Sequence, residues 1–249
     1  MDWLDPVIGK NGLILAFLVV GLILLFSYAV SHFLGRGRIP GAALAIIMGL
    51  ALAFTGSEKG IADHPLFAGM AVLGGSMFRD FSVVATAMGA NLETIRKTGR
   101  AGFLSLLIGV CISFIVGVLV AWALGYTDAV SLTTIGAGAC TYIVGPVTGS
   151  AIGATSEVIA ISVAAGVVKT LVTTIGTPLI ARRIGLTSPH AAMVFGGLIG
   201  TTSGVVAGLA ATDAKLVPYG AMTATFYTGL GCLLCPSIFY VLLRIFIPA

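Results

Sequence analysis

Residues 128–155 read DAVSLTTIGAGACTYIVGPVTGSAIGAT, and this stretch decides the fold. It is apolar enough to lie in a bilayer. Yet it carries Gly136, Gly138, Gly145, Gly149 and Gly153, together with Pro146. Hydroxyls interrupt it at Thr133, Thr134, Thr141, Tyr142, Thr148 and Ser150. Glycine and proline weaken or break a helix, and the backbone groups they release need new partners. At membrane depth such backbone is tolerated only where it is packed in protein or lines a wet cavity. The stretch is therefore expected to be a broken helix or re-entrant hairpin that builds a polar binding site inside a membrane protein.

The rest of the chain agrees with a membrane setting. Of 249 residues, 58% are hydrophobic and 9% charged, with a mean hydropathy of +1.11. A soluble domain carries roughly a quarter charged residues, so there is too little charge here for a water-facing surface. The net charge of +4 sits in short loops, where it reports topology and not nucleic-acid binding. Cys111, Cys140, Cys232 and Cys235 all fall in apolar runs. The CxxC of the last two has no histidine or acid near it in sequence, and reads as small core side chains.

Around the broken segment the spans fall in order. Residues 12–34 are too long for a signal h-region and are expected to stay as the first crossing. The apolar runs 40–54 and 65–89 follow, the second carrying Arg79 and Asp80 near its middle. Residues 101–124 and 156–180 are long apolar runs, the latter with Lys169 near its centre, and 217–247 is the last. The basic loops at 35–40, 91–100 and 182–185 are expected on the cytoplasmic side. Between the last two loops the chain must cross an even number of times. Residues 101–124 and 156–180 already do so, and 128–155 must then enter and leave by one face. A second Gly-rich stretch, GGLIGTTSG around residue 200, precedes the final run. The expectation is an all-α polytopic membrane protein, one transmembrane domain over residues 1–249. It has about six crossings (four helices within 1–124) and two re-entrant hairpins. Units 128–184 and 190–245 would form an inverted repeat, the usual construction of secondary transporters.

Two kinds of group suit a small anion and a cation at such breaks. Helix N-termini offer free N–H groups and the positive dipole end to a carboxylate. Unwound carbonyls and hydroxyls suit Na⁺. Candidate substrate ligands are Thr141, Tyr142, Gly145, Thr148, Gly149 and Ser150 at the first break, and Thr201, Thr202 and Ser203 at the second. Lys169 and Arg79 are intramembrane charges able to face an anion. Candidate ion ligands are Asp80, Thr134, Gly200, Thr202 and Thr223. No nucleophile–base pattern, phosphate loop, cofactor motif or metal-ligand spacing (beyond oxygens for Na⁺) is present, which argues against an enzyme.

Three long segments resemble a known family: FRDFSVVATAMGA (78–90), TTIGAGACTYIVGPVTGSAIGATSEV (133–158) and MVFGGLIGTTSGVVAGLAATDAKLVPYGAMTATFYTGLGCLL (193–234). They are similar to MadM, the larger subunit of the two-component bacterial malonate transporters. The resemblance covers nearly the whole chain. It implies a multi-pass subunit of a sodium-coupled malonate symporter in the bacterial inner membrane, working with a smaller membrane subunit, MadL. Two other readings are weighed beside it: a membrane subunit of an ion-pumping decarboxylase, and a structural subunit that transports nothing.

Overall fold

The structure is a computed structural model that describes residues 5–33, 41–53, 60–64, 67–70 and 92–247. Every regular element among the described residues is helical. The chain divides into two compact units, 1–85 and 86–249. In the first, α1 (Asp5–Phe33) packs against α2 (Gly41–Ala53). At that contact a Cβ on Gly41 would strike the Tyr28 ring at 2.7 Å. Arg79, Asp80 and most of the expected run 65–89 lie outside the described residues.

The second unit opens with α3 (Leu92–Ala123), in which Gly99 adopts φ 63° and marks a kink. It continues through α4 (Ala129–Cys140), α5 (Val144–Ile152), α6 (Ser156–Ile180), α7 (Pro189–Ile199), α8 (Thr202–Ala210) and α9 (Val217–Leu234). A π-turn at Cys235–Phe239 then leads into α10 (Tyr240–Phe246). The turn includes Pro236, which has no N–H to continue the ladder. Four stretches are long and apolar enough to cross a bilayer: Gly12–Phe33, Gly99–Ala123, Ser156–Ile180 and Ala214–Phe246. At 1.5 Å per residue the 13 residues of α2 fall short of the roughly 30 Å hydrocarbon core. The described residues thus show four candidate crossings, plus shorter apolar helices, where the sequence reading expects six.

Helices α4 and α5, of 12 and 9 residues, each span about half a bilayer. Close approaches fix how they run. A Cβ on Gly145 would lie 2.8 Å from the Gly138 Cα, and one on Gly149 2.8 Å from the Thr134 methyl. These contacts pair the two antiparallel helices of one hairpin, so α5 folds back on α4. Helices α7 and α8 also fold back. Ala192 and Phe195 of the one share a buried cluster with Val205 and Leu209 of the other.

The same approaches give directions for the long helices. Helix α6 runs antiparallel to α5, since Gly145 meets Ser162 and Gly149 meets Ile159. It runs parallel to α8, since Gly204 meets Thr170 and Gly208 meets Thr177. Helix α9 runs parallel to α7, with Gly196 against Gly220 and Gly200 against Tyr227. It is also parallel to α3: Tyr227 bonds Gly109, and further along Phe239 packs on Phe114 with ring centroids 4.6 Å apart. Helix α3 is antiparallel to α4, with Val110 beside Cys140 and Val118 beside Gly136. Hairpin α4–α5 with α6, and hairpin α7–α8 with α9, therefore run in opposite senses.

Candidate functional site

Helix starts near the expected membrane surfaces are capped by side chains. Asp128 Oδ1 accepts from Ser131 N at 2.7 Å, Thr155 Oγ1 from Val158 N at 3.4 Å, and Ser188 Oγ from Ala191 N at 3.2 Å. Burial alone would raise the Asp128 carboxyl. The backbone and hydroxyl donors of Ser131, together with the Asp128 and Val130 amides, outweigh it and hold the group below its ordinary value.

The two helix starts inside the bundle are built differently. At the first tip Thr141 is extended (φ −155°, ψ 156°) and ends α4. Its Oγ1 accepts from Ile143 N at 3.2 Å and Val144 N at 3.1 Å, so the hydroxyl caps α5 from outside the helix. Pro146 lies in the first turn of α5, where a missing N–H costs nothing. At the second tip Gly200 has φ +79°, and a Cβ there would lie 2.2 Å from the Tyr227 ring. Only glycine satisfies both constraints. Thr201 occupies the N-cap of α8, a position where threonine ordinarily caps, but its side chain makes no cap bond. Its Oγ1 is instead 2.6 Å from Thr170 Oγ1. Thr170 gives its own proton to the Gly166 carbonyl at 3.0 Å, which makes Thr201 the donor of that pair. The N-terminal amides of α8, from Thr202 to Gly204, are left without a side-chain cap.

The tips meet. Tyr142 Oη and Ser203 Oγ are 3.2 Å apart, linking the first hairpin to the second. Both tips lean on α6 near its middle. A Cβ on Gly166 would fall 2.2 Å from Tyr142 N, and Thr170 holds Thr201. One turn away in the same layer is Lys169. Its Nζ donates to Ser113 Oγ of α3 at 2.8 Å, to the Cys140 carbonyl at 2.9 Å and to Tyr227 Oη of α9 at 3.3 Å. The ammonium also lies 5.1 Å from the Tyr227 ring centroid, within cation–π range.

Of the residues singled out in the sequence, Thr141, Tyr142, Lys169, Gly200, Thr201 and Ser203 gather in this layer, with Thr202 beside them. Gly145 and Gly149 are packing positions inside the first hairpin. Thr148 is fully buried on α5, and its hydroxyl, like that of Thr174, has no hydrogen-bond partner. Ser150 is exposed. Thr134 donates to the Val130 carbonyl at 2.7 Å and Thr223 to the Met193 carbonyl at 2.8 Å, so both hydroxyls serve the backbone. Ser113, Thr170, Tyr227 and Gly166 complete the layer and were not singled out. A face of small and hydroxyl residues on α6, Ser162, Gly166, Thr170, Thr173 and Thr177, is the signal that finds two of them, since such residues let neighbouring helices approach closely.

Four helices long and apolar enough to cross a bilayer, with hairpins of shorter apolar helices meeting mid-way along one of them, mark a multi-pass membrane protein, and paired broken helices are a construction shared by secondary transporters. The malonate/sodium symporter MadM subunit family matches residues 4–247, and the chain belongs to that family. No curated protein and no solved structure matches. Membership implies a subunit of a malonate/sodium symporter.

Proposed function

We propose that this chain carries malonate across the bacterial inner membrane together with Na⁺, as one subunit of a symporter completed by a smaller MadL-type membrane partner. The site would lie between the two tips. The uncapped amides at the start of α8, with the hydroxyls of Tyr142, Thr201, Thr202 and Ser203, would receive the carboxylates. The unwound carbonyls of the tips would receive Na⁺. The Thr141 oxygen already accepts from two amides, so its remaining O–H would turn to a carboxylate, and Lys169 would add positive potential. The units 128–184 and 190–245 would act as an inverted repeat, a reading supported by their opposed chain directions. The observation that carries the proposal is the Tyr142–Ser203 contact, which joins the tips of the two short-helix hairpins.

Reconstitution tests it. Proteoliposomes holding this chain and its partner should accumulate labelled malonate under an inward Na⁺ gradient with no nucleotide added, and this chain alone should not. Na⁺ movement that requires decarboxylation would favour the decarboxylase-subunit reading. Full uptake by the partner alone would favour a structural role.

A further inference from the structure

A lysine buried among helices is usually explained by a carboxylate, and none of the described residues offers one to Lys169. What surrounds it is a set of neutral oxygens. The Cys140 carbonyl belongs to the last residue of α4. In an unbroken helix it would accept from Val144 N, but that N–H is bonded to Thr141 Oγ1. The carbonyl is thus released by the helix break, carries the negative end of the α4 dipole, and attracts a cation. Tyr227 is fully buried, and it gives its phenolic proton to the Gly109 carbonyl at 3.1 Å. That leaves a lone pair for the ammonium. Ser113 Oγ supplies the third oxygen. A freed carbonyl at a helix C-terminus, joined by hydroxyls, is a ligand set that holds Na⁺ in discontinuous-helix proteins.

We propose that Ser113, Cys140 and Tyr227 form a monovalent-cation site filled by the tethered ammonium of Lys169, and that Lys169 is not a direct ligand of the transported anion. All three of its N–H bonds are committed within the protein. Donating to a carboxylate would require surrendering one of them. The ammonium instead ties four elements at the depth of the tips: α3, the end of α4, α6 and α9. The geometry stands by itself, and only its consequence for coupling rests on the transport reading.

Removing the tether should uncover the site. The full chain, purified in detergent, is melted in choline chloride and then with increasing NaCl, LiCl or KCl, for wild type, Lys169→Ala and Lys169→Met. Lys169→Ala should melt below wild type in choline. It should regain stability with Na⁺ in a saturable way, beyond any response of wild type, by about 3–5 °C at ten times the dissociation constant. Lys169→Met refills the space of the stem without charge and should show no such extra response. Equal Na⁺ responses in wild type and Lys169→Ala overturn the proposal. Should Lys169→Ala give no folded protein in any salt, Lys169→Thr is titrated in its place, and the lack of an extra Na⁺ response there overturns it equally. Malonate titration of wild type together with its partner subunit is read separately. A missing malonate response sinks the site at the tips and leaves the cation site standing.

Discussion

Adding one methyl group to α6 at Gly166 should disable the site while leaving the helix intact. The Cβ of an alanine there would sit 2.2 Å from Tyr142 N, 2.4 Å from Tyr142 Cα and 2.8 Å from the Gly138 carbonyl oxygen. Ordinary contact begins near 3.4 Å, so the backbone of the first tip must retreat by about an ångström, because no flexible side-chain end can yield instead. Overpacking of this kind costs about 1–3 kcal/mol. The larger effect is on geometry. Tyr142 carries the bond to Ser203, and a tip displaced by about an ångström falls outside hydrogen-bond reach. A misplacement of about 1 Å can cost roughly a hundredfold in a positioned site. Gly176→Ala provides the comparison on the same helix. Nothing lies within 4 Å of a Cβ there, and alanine in a helix interior is favoured over glycine by about 0.8–1 kcal/mol.

The assay is Na⁺-driven malonate uptake in proteoliposomes holding both subunits, beside thermal stability of the purified chain. Gly166→Ala should lower uptake by about ten- to a hundredfold with a modest fall in melting temperature. Gly176→Ala should transport normally and melt no lower than wild type. Wild-type affinity and rate in Gly166→Ala would refute the reasoning, since the tip could then move freely without consequence.

Other outcomes follow from the same geometry. Thr141→Ala and Thr202→Val should each raise the apparent KM for malonate or Na⁺ by about ten- to a hundredfold, the worth of one charge-assisted hydrogen bond. Thr86→Val, outside the described residues, should change it much less. Thr148→Val removes a buried hydroxyl that has no partner, so melting temperature should hold or rise. A simultaneous loss of malonate affinity would mark that hydroxyl as a ligand. Asp128→Ala should destabilise the chain by about 1 kcal/mol through the lost cap. Because the Asp128 pKa is depressed in the folded state, its stabilisation is complete above the ordinary carboxylate range. It is lost as pH falls through the depressed value, a loss that Asp128→Ala should not show in acid melts.

The broken segments were legible because they obey local rules. Gly200 needs a positive φ, Pro146 sits in a first turn, and α4 and α5 are each too short to cross. Which hydroxyls face the meeting point was not legible. A threonine in a helix can turn its oxygen back to its own carbonyls, as Thr134 does, whereas one at a helix start can turn it to a neighbouring helix, as Thr201 does, and the sequence around each reads alike. Ser113 and Tyr227 were missed for a related reason. They come from helices far apart in sequence, and only the tertiary register at Gly109 and Gly136 brings them to Lys169. Tyr227 did leave a trace, as a polar tip within an apolar helix that must find a partner when buried.

Charge bookkeeping separates the roles of lysine and sodium on the transport reading. Malonate is a dianion at neutral pH. Drawing it inward against a negative-inside potential costs about 2.3 kcal/mol per charge for each 100 mV. Lys169 lowers the electrostatic cost of holding the anion at mid-depth, but it is covalently part of α6 and ends each cycle where it began. A tethered cation therefore carries no net charge across, and ions that dissociate must offset the potential. If Lys169 fills what is otherwise a cation site, then Lys169→Ala exchanges a fixed charge for a mobile one. Such a variant, where it still transports, should move one additional Na⁺ with each malonate, and its uptake should rise more steeply with Na⁺ concentration and respond more strongly to an inside-negative potential than that of wild type. Unchanged Na⁺ steepness and voltage response in a transporting Lys169→Ala variant would show that no mobile ion takes the vacated place.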